Sequence, residues 1–549
     1  MAKKLLIGAA ATLLVSGLHA QQRAPRNESI RQEELRADLF FLAGDAMRGR
    51  LTDTEENRAT GDYLRSRFER LGLLPAGPNN SYFQPYNLMT ATLGDGNALD
   101  VVAGDSAMRH FRAGQEFYPQ RFSASGHVTG AVVFVGFGIS APHLQFDDYN
   151  GDVKGKVVLA LDHEPGERDP DSPFEGVVTS EPSAQWRKAL AAQEKGAAAI
   201  LFVSDVHNHA GAANFEAAAR SAWPDKPPRI LNYTLAAWAD RIRIPAVQIS
   251  PALAASLVAG TGKTLDELSR SAETPHGLMP AALPGARVDL QTAVDRHIVP
   301  DRNVVALLEG SDARLKNEWV IVSAHFDHNG ADATQVFNGA DDNGSGTVAL
   351  LEIAEAYSLA AKDGLRPKRS VLFAAWNSEE RGLLGAWAYT EQPLAPLTTI
   401  AAVLNMDMIG RNEEIPVGGG QRFAGLPIQT AESNSNALNL MAFSKVPDIT
   451  AIVEKANASG IGLDLKKRYD NNSSNLVRRS DQWPFLQRGV PAMGFITGLH
   501  PDYHTQYDRP EKINYVKMEK IARLVHQVSW DIASADSRPK PPAVRPSTQ

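Results

Sequence analysis

Residues 319–346 read WVIVSAHFDHNGADATQVFNGADDNGSG, and the interpretation of the whole chain starts from them. The first part is apolar and rich in β-branched residues, which predicts a buried strand that ends at His325. The following loop carries Asp327 and then the pair Asp341 and Asp342, before a Gly- and Ser-rich turn and a long amphipathic helix. An imidazole at a strand end, followed by carboxylates in the next loop, is typical of a divalent metal site.

Alternating strands and helices surround this stretch. The predicted strands cover residues 319–325, 370–376, 399–406 and 490–497, and the predicted helices cover residues 31–42, 58–71, 347–361, 382–390, 432–445 and 514–533. A chain that alternates in this way forms a largely parallel sheet with helices on both faces. The pattern therefore predicts an α/β fold with a mixed, mainly parallel sheet sandwiched by helices.

A segment with a different order of strand and helix patterns interrupts this alternation. Residues 126–269 contain four strand patterns, from AVVFVGFGI to IPAVQIS, and a helix pattern, which is enough for a domain with its own core. We expect an inserted α+β domain here, with no grouping of histidines and carboxylates. The catalytic domain would then be discontinuous, over residues 28–125 and 270–534. The Pro-rich residues 535–549 are expected to be disordered.

Side chains that can bind a metal follow four predicted strands of the catalytic domain. They are His325 with Asp327 and Asp341, Glu379 with Glu380, Asp407, and His500 with Asp502, His504 and Asp508. Each position has an ordinary explanation on its own, such as a helix cap or a solvated turn. In open parallel sheets, however, ligands bind beyond the carboxyl ends of the strands. The four positions together therefore predict one site.

Imidazoles and carboxylates are the metal ligands on offer, because the chain contains no cysteine. This donor set suits two Zn²⁺ ions, which can share a carboxylate and a water molecule and lower the pKa of that water. One further carboxylate has to stay free to carry the proton. Glu379 and Glu380 are adjacent and point apart, so one can bind metal while the other faces the water. Asp327 is expected to orient His325.

Five motifs, AHFDH, NGADDNGSG, NSEERGLLG, NMDMIG and YHTQYD, occur in this order. The set resembles the co-catalytic zinc exopeptidases of the bacterial leucyl aminopeptidase and glutamate carboxypeptidase type. The segment from VGFGIS to IPAVQIS resembles the protease-associated domain that many of them carry as an insertion. The resemblance implies a zinc-exopeptidase fold of the phosphorylase/hydrolase-like type. It implies that Asp341 bridges both zinc ions, that His325 and Asp407 complete one site and Glu380 and His504 the other, and that Glu379 is the general base.

Some positions depart from the family pattern or leave a choice open. His328 stands where a small residue is common, and Gln482 stands where a histidine is frequent. Both concern the shape of the pocket and not the expected ligand set, with His328 as a third metal-facing histidine as the alternative. On spacing alone His500 competes with His504, and the YHT context favours His504. By the same resemblance, Asp342 occupies the position of a non-proline cis peptide.

The resemblance favours a secreted zinc aminopeptidase that hydrolyses the N-terminal peptide bond through a metal-bridging hydroxide, with Glu379 as base. A C-terminal exopeptidase of the glutamate carboxypeptidase type is the alternative, because Arg411, Arg478 and Arg479 lie near the motifs in sequence and could bind a carboxylate. A single-zinc glutaminyl cyclase and a catalytically dead binding protein on the same scaffold are further alternatives. The complete ligand set argues against both.

Composition and the amino-terminal sequence limit the partners and the location. The 549 residues carry a net charge of −7, which gives no support for binding to nucleic acid or to an anionic membrane. Residues 1–20 join two lysines to an apolar core and a small residue, which predicts a cleaved signal peptide. We therefore expect a periplasmic or secreted enzyme with a peptide substrate and no membrane contact after cleavage. The sequence gives no indication of the oligomeric state.

Overall fold

The computed structural model describes residues 23–102, 107–209 and 214–542. The predicted signal peptide, residues 1–20, lies outside the described residues. Within the described ranges the strands form a ten-stranded sheet, an eight-stranded sheet and a short two-stranded ribbon of Ser140–Ala141 with Phe146–Asp147. The first sheet positions the candidate site, and the second contributes to the cavity beside it.

The ten-stranded sheet is mixed, as the sequence predicts. In spatial order its strands are Thr234–Leu235, Phe83–Leu93, Val294–Leu308, Ser370–Trp376, Trp319–His325, Ile400–Met406, Ala492–Ile496, Ala437–Met441 and Asp464–Lys466, with Leu74–Pro75 paired to Val294–Leu308. The four central strands, from Ser370–Trp376 to Ala492–Ile496, run parallel. On either side of them Val294–Leu308 and Ala437–Met441 pair antiparallel.

The central strands are covered on both faces. Every residue of Ser370–Trp376 and Ile400–Met406 is buried, and successive side chains of a strand point to opposite faces. Helix Gly346–Lys362 packs on the Trp319–His325 strand and against the long helix Tyr515–Ser534. Uninterrupted apolar runs therefore become strands here because neither face meets water.

Twelve α-helices lie in the described ranges. They are Gln32–Leu42, Glu55–Leu71, Gln185–Glu194, Phe215–Ala222, Ala236–Ala239, Pro251–Val258, Leu265–Ser271, Gly346–Lys362, Leu384–Glu391, Pro447–Ala456, Gln482–Gln487 and Tyr515–Ser534. The second helix has clear local signals at both ends. The Thr54 side chain accepts a hydrogen bond from the backbone N–H of Asn57 at its start, and Gly72 adopts φ 76° just after its end.

The eight-stranded sheet has its own apolar core. Its order is Arg109–Arg112, Ala98–Val102, Ala281–Thr292, Gly126–Phe134, Val157–Leu161, Ala199–Val203, Ala246–Ile249 and Phe117–Pro119. The four strands from Gly126–Phe134 to Ala246–Ile249 run parallel. Strands from both sides of residues 126–269 pair into this sheet, so it extends beyond the segment that the sequence delimits.

The predicted elements agree with the structure except in one region. The strands predicted at residues 319–325 and 370–376 have the same bounds in the structure. The helix predicted over residues 432–445 is wrong, because the strand Ala437–Met441 lies there. All five of its residues are buried and it pairs with Ala492–Ile496 and Asp464–Lys466, so tertiary packing overrides the local pattern.

Two further findings concern membranes and the carboxyl terminus. In the part of the chain that the structure describes, no helix is long and apolar enough to cross a membrane. Residues 535–542 contain neither helix nor strand, and the remaining residues of the predicted disordered tail lie outside the described ranges.

Candidate metal centre

The parallel strands bring the predicted strand-end residues to one edge of the sheet. His325 is the last residue of its strand and pairs in register with Trp376, which ends the neighbouring strand. Glu379 and Glu380 follow Trp376 in a short turn, and Asp407 follows Met406 on the other neighbour. Side chains from three successive strand ends therefore meet at one place.

Asp342 lies between two groups of ligands. Its Oδ1 is 3.4 Å from Nε2 of His325, and its Oδ2 is 2.9 Å from Nε2 of His504. The two oxygens of this carboxylate therefore face different imidazoles. Of the predicted and neighbouring carboxylates, Asp342 is the one that occurs in both groups described next.

The first group consists of His325, Asp342 and Asp407. Nε2 of His325 lies 3.4 Å from Oδ1 of Asp407, and the ligand atoms of the three residues all lie within 4.8 Å of one another. Among the described residues, Nε2 of His325 and Oδ1 of Asp407 are buried without a hydrogen-bond partner. Buried polar atoms of this kind are normally satisfied, so the group is suited to receive a cation.

The second group contains Asp342, Glu380, His504 and His328. Oε2 of Glu380 lies 3.1 Å from Nε2 of His504, and Oε1 lies 2.7 Å from Nδ1 of His328. The ligand atoms of Asp342, Glu380 and His328 likewise all lie within 4.8 Å of one another. The structure therefore brings His328 into contact with a predicted metal ligand, a position that the sequence left without a role.

Asp341, the predicted bridging residue, lies outside both groups. Its Oδ1 accepts a hydrogen bond from the backbone N–H of Gly410 at 2.6 Å, and its Oδ2 is 3.3 Å from Nε2 of His500. The prediction is off by one residue because consecutive side chains in this turn point in different directions. The non-proline cis peptide expected at Asp342 is present and joins Asp342 to Asn343. His500, the rival of His504, contacts Asp341 and not the central carboxylate.

Glu379 and Glu380 differ in their surroundings. Burial, together with the charges of Asp407 and Asp481, raises the pKa of Glu379 well above its usual range, and His325 opposes this shift. Burial also disfavours the charge of Glu380, but His504 and His328 hold the pKa of that carboxyl well below its usual range. The pKa values of these two adjacent carboxyls are therefore shifted in opposite directions. A pair of acids whose pKa values differ in this way can take different roles in a reaction.

Asp327 fixes the turn that carries both glutamates. Its Oδ1 accepts a hydrogen bond from the backbone N–H of Glu379 at 3.0 Å, and its Oδ2 accepts one from that of Glu380 at 3.3 Å. Oδ1 also lies 3.6 Å from Nδ1 of His325, which is longer than a hydrogen bond. The side-chain carboxylate of Asp327 therefore holds the turn, and it is the backbone carbonyl of Asp327 that lies within hydrogen-bond distance, 3.3 Å, of Nδ1 of His325.

Arg50 is a buried residue of the site region that sequence reasoning missed. Its guanidinium donates to the carbonyls of Leu42, Phe326, Asn338 and Gly339 at 2.7–2.9 Å. Burial lowers the pKa of Arg50 to about 10. No local motif marks it, since an arginine in a polar turn normally faces solvent. It links the amino-terminal turn to the loops that carry His325 and Asp342.

The balance of charge at the centre favours a bound cation. Four carboxylates, those of Asp342, Glu379, Glu380 and Asp407, lie together with side chains no more than 11% exposed. Buried carboxylates of like charge are costly unless cations compensate them. Three imidazoles and four carboxylates without a thiolate form a donor set that fits Zn²⁺.

Comparison with known proteins agrees with this geometry. Residues 303–529 match the sequence profile described as peptidase family M28. Over these residues the chain is similar to the M28 peptidases, and the two ligand groups together with Glu379 are called the M28 centre below. The matched residues include every side chain of the two ligand groups, so the family assignment and the cluster concern the same part of the protein.

Relatives of the chain carry two kinds of name. "Probable glutamate carboxypeptidase AMP1" of Arabidopsis thaliana is 24% identical over 83% of this chain and 61% of its own length. "Aminopeptidase YwaD" of Bacillus subtilis is 26% identical over 40% of this chain and 42% of its own length. The chain thus spans about three fifths of the first relative, and it spans 27% and 16% of the next two.

A solved structure, "Aminopeptidase from Aneurinibacillus sp. strain AM-1", aligns with 95% of this chain and 97% of its own. The sequence identity is 18% and the TM-score is 0.48. A likeness at this level does not bear on function.

Two hollows adjoin the M28 centre. A narrow recess next to Asp342, Glu379 and Asp407 has an apolar wall, formed by Met408, Met441, Leu476, Phe495, Ile496 and Leu499. A larger cavity of about 850 Å³ is lined on one side by Glu379, Glu380 and His504. Its other side is formed by residues such as His163, Ser180 and Trp186, which lie near the eight-stranded sheet. Both sheets therefore contribute walls to the space in front of the centre.

Proposed function

We propose that this protein is a zinc-dependent exopeptidase with two metal ions per chain, and that it acts as an aminopeptidase. The observation that carries the proposal is the position of Asp342, whose two oxygens face two separate ligand groups. A carboxylate shared between two ions is what a two-metal hydrolytic site requires. The names of the relatives support peptide hydrolysis, with the aminopeptidases on one side and the glutamate carboxypeptidases on the other.

In this proposal one ion would be held by His325, Asp342 and Asp407. The other would be held by Asp342, Glu380 and His504, with His328 beside them. When bound, the ions would polarise the scissile carbonyl and lower the pKa of a water molecule. Asp327 has a supporting role, because it holds the turn of both glutamates through two backbone N–H groups. Without that turn the side chain of Glu380 would no longer be held in the orientation that brings it to its ligand group.

Glu379 is the residue we assign to proton transfer. It lies outside both groups of three ligands, yet its Oε2 is 3.7 Å from Nε2 of His325 and its side chain lines both hollows. Its raised pKa suits a carboxylate that accepts a proton from the attacking water and returns it to the leaving amine.

The surroundings favour a free amine and an apolar terminal residue in the substrate. Glu379, a buried carboxylate of the centre that is not assigned to an ion, can attract an ammonium group, and the recess that it lines is walled by apolar side chains. Of the three arginines that could bind a substrate carboxylate, Arg411 pairs with Asp502 at 2.9 Å. These contacts place aminopeptidase action ahead of carboxypeptidase action.

Carboxypeptidase action is the second candidate because of Arg478 and Arg479. Both line the larger cavity, and Arg479 also lines the apolar recess, where it donates to the hydroxyl of Tyr503 at 3.0 Å. A guanidinium beside the centre could bind the carboxylate of an acidic substrate.

One assay separates the two candidates. A peptide that begins with leucine is offered in four forms, with the amine free or acetylated and the carboxyl free or amidated, each with and without chelator. We expect hydrolysis of both forms that keep the free amine, and loss of that hydrolysis with chelator. Cleavage that instead requires the free carboxyl would establish the carboxypeptidase. The Glu379→Gln variant serves as the control for contaminating peptidases.

We also propose that residues 1–20 are removed during export and that the eight-stranded sheet belongs to a protease-associated domain. Its contribution of a wall to the larger cavity supports a part in substrate entry. Mass spectrometry of the protein from the periplasm or the medium tests the export proposal. A chain that begins after Ala20 is expected, and a full-length chain found in the cytoplasm would contradict it.

A further inference from the structure

A second group of metal-competent side chains lies outside the M28 centre. His163, Glu167 and His209, here called the loop cluster, have ligand atoms that all lie within 4.8 Å of one another. The sequence predicts no grouping of histidines and carboxylates in residues 126–269, and that prediction is wrong. His163 and His209 are 46 residues apart in sequence, so their proximity is a product of the fold.

The loop cluster forms at the carboxyl ends of two adjacent parallel strands. His163 and Glu167 follow Val157–Leu161, and His209 follows Ala199–Val203. The two strands pair in register up to Leu161 and Val203. This edge of a parallel sheet is where α/β proteins place their ligands. The same arrangement produces the M28 centre in the other sheet.

The geometry at Glu167 brings three donors to one point. Its Oε2 lies 2.7 Å from Nδ1 of His163, and its Oε1 lies 2.7 Å from Nε2 of His209. The two imidazole rings have centroids 4.1 Å apart. Elsewhere in this sheet, His110 with Asp100 and His127 with Asp289 are pairs of one imidazole and one carboxylate. Two imidazoles around one carboxylate make the donor set of a three-ligand zinc site.

A shared hydrogen-bond network holds the two loops in place. Oε2 of Glu273 accepts from the backbone N–H of Gly166 in the first loop, and its Oε1 accepts from the side chain of Asn208 in the second, both at 2.8 Å. Asp205 accepts from the same Asn208 side chain at 2.7 Å. These hydrogen bonds therefore fix the residues next to the cluster before any ion binds. Hydrogen bonds around the ligands orient them in the same way in known metal sites.

We propose that the loop cluster is a third metal site, which binds a borderline divalent transition metal ion of the Zn²⁺ class. Imidazole nitrogens select such ions over Mg²⁺ or Ca²⁺, which prefer oxygen. Three protein ligands leave a coordination position for water or another group. The ion would connect the loop of His163 and Glu167 to the loop of His209. Since His163 also lines the larger cavity, the ion would lie at the rim of the space in front of the M28 centre.

Zinc content of the full chain tests this proposal. The chain is dialysed against a zinc buffer, desalted and measured by plasma mass spectrometry, with protein quantified in parallel. In the Asp342→Ala chain, whose M28 centre is disabled, we expect at least one ion per chain to remain. His163→Ala, His209→Ala or Glu167→Gln in that background should each remove one ion, while His110→Ala should remove none.

The wild-type background gives an independent measurement if Asp342→Ala fails to fold. There the difference between the wild-type chain and the His163→Ala chain should be one zinc ion, whatever number the M28 centre holds. Equal zinc content in the wild-type and His163→Ala chains, each with an unchanged circular dichroism spectrum, would overturn the proposal. Because the readout is a difference in bound metal, a failure of the proposed peptidase activity would not imitate either result.

Discussion

His325 ends a strand of the ten-stranded sheet and is fully buried, whereas His163 follows a strand of the eight-stranded sheet and leaves 44% of its side chain exposed. Both belong to groups assembled at the carboxyl ends of neighbouring parallel strands. Topology alone therefore brings imidazoles and carboxylates together in both sheets. Burial is what differs, and it decides how strongly each group depends on a cation.

The M28 centre has four carboxylates whose side chains are no more than 11% exposed, whereas the loop cluster has one carboxylate, 15% exposed, between two imidazoles that are 44% and 41% exposed. Water can screen the charges of the exposed group, so that group is stable with or without an ion. In the buried group a missing cation leaves like charges together, which is energetically costly. Variants in the two groups should therefore have unequal effects.

The largest effect is expected from Asp342→Asn. An amide cannot serve as the shared ligand, so kcat/KM should fall by at least about a thousandfold, which corresponds to about 4 kcal/mol. Zinc content measured on the same sample should fall with it. The matched control is Asp341→Asn, one residue away and outside both ligand groups, which should retain far more activity and zinc. Equal losses for the two variants would restore Asp341 as a bridging candidate.

Glu379→Gln separates proton transfer from metal binding within the buried group. We expect kcat to fall about 10²- to 10⁴-fold, because the amide cannot accept the proton of the attacking water. The zinc content should equal that of the wild-type chain, since Glu379 lies outside both groups of three. An enzyme that keeps its turnover after this change would refute the role assigned to Glu379.

His526 tests the effect of burial on a histidine that lies outside both clusters. Burial lowers the pKa of His526 to about 3, against about 6.5 in the unfolded chain. Between these values the unfolded chain binds a proton that the folded chain does not, so stability falls as the pH falls below 6.5. From pH 7 to pH 5 this residue should reduce the free energy of unfolding by about 2 kcal/mol. In urea titrations the loss of unfolding free energy from pH 7 to pH 5 should be larger for the wild type than for His526→Gln by that amount, and equal losses would contradict the prediction.

The smallest effect is expected from His163→Ala in metal-free protein. The side chain is half exposed, so its loss should change the melting temperature by less than about 2 °C. Added Zn²⁺ should then raise the melting temperature of the wild-type chain more than that of the variant. A large destabilisation without metal would show that the loop cluster is held by its own contacts and not poised for an ion.

Much of the fold could be predicted because its central strands are simple signals. Runs such as VLFAAW, residues 371–376, are apolar and buried on both faces, so composition alone marks them. The helix predicted over residues 432–445 is wrong because the strand Ala437–Met441 depends on pairing with strands more than 20 residues away in sequence. Pairing of that kind has no local trace in the sequence.

The site was predictable as a set of strand ends but not as exact contacts. Asp341 and Asp342 are chemically identical neighbours, and only the backbone of the turn decides which one faces His325. The loop cluster carried a usable signal, since His163 lies two residues beyond a strand end, as Asp327 does. Its partner His209 lies in another loop, and the sequence does not reveal the register that brings the two together.

The buried Arg50 has a consequence for protein engineering. Its four hydrogen bonds fasten a turn near the amino terminus to carbonyls on either side of the metal-binding loops, at Phe326 and Gly339 among others. The segment recognised by the family profile begins at residue 303 and lacks this guanidinium. A protein truncated at that boundary would leave the carbonyls of Phe326 and Gly339 without this donor. A fragment that is to keep both ligand groups in place therefore has to be longer than the segment matched by the family profile and has to include the residues around Arg50.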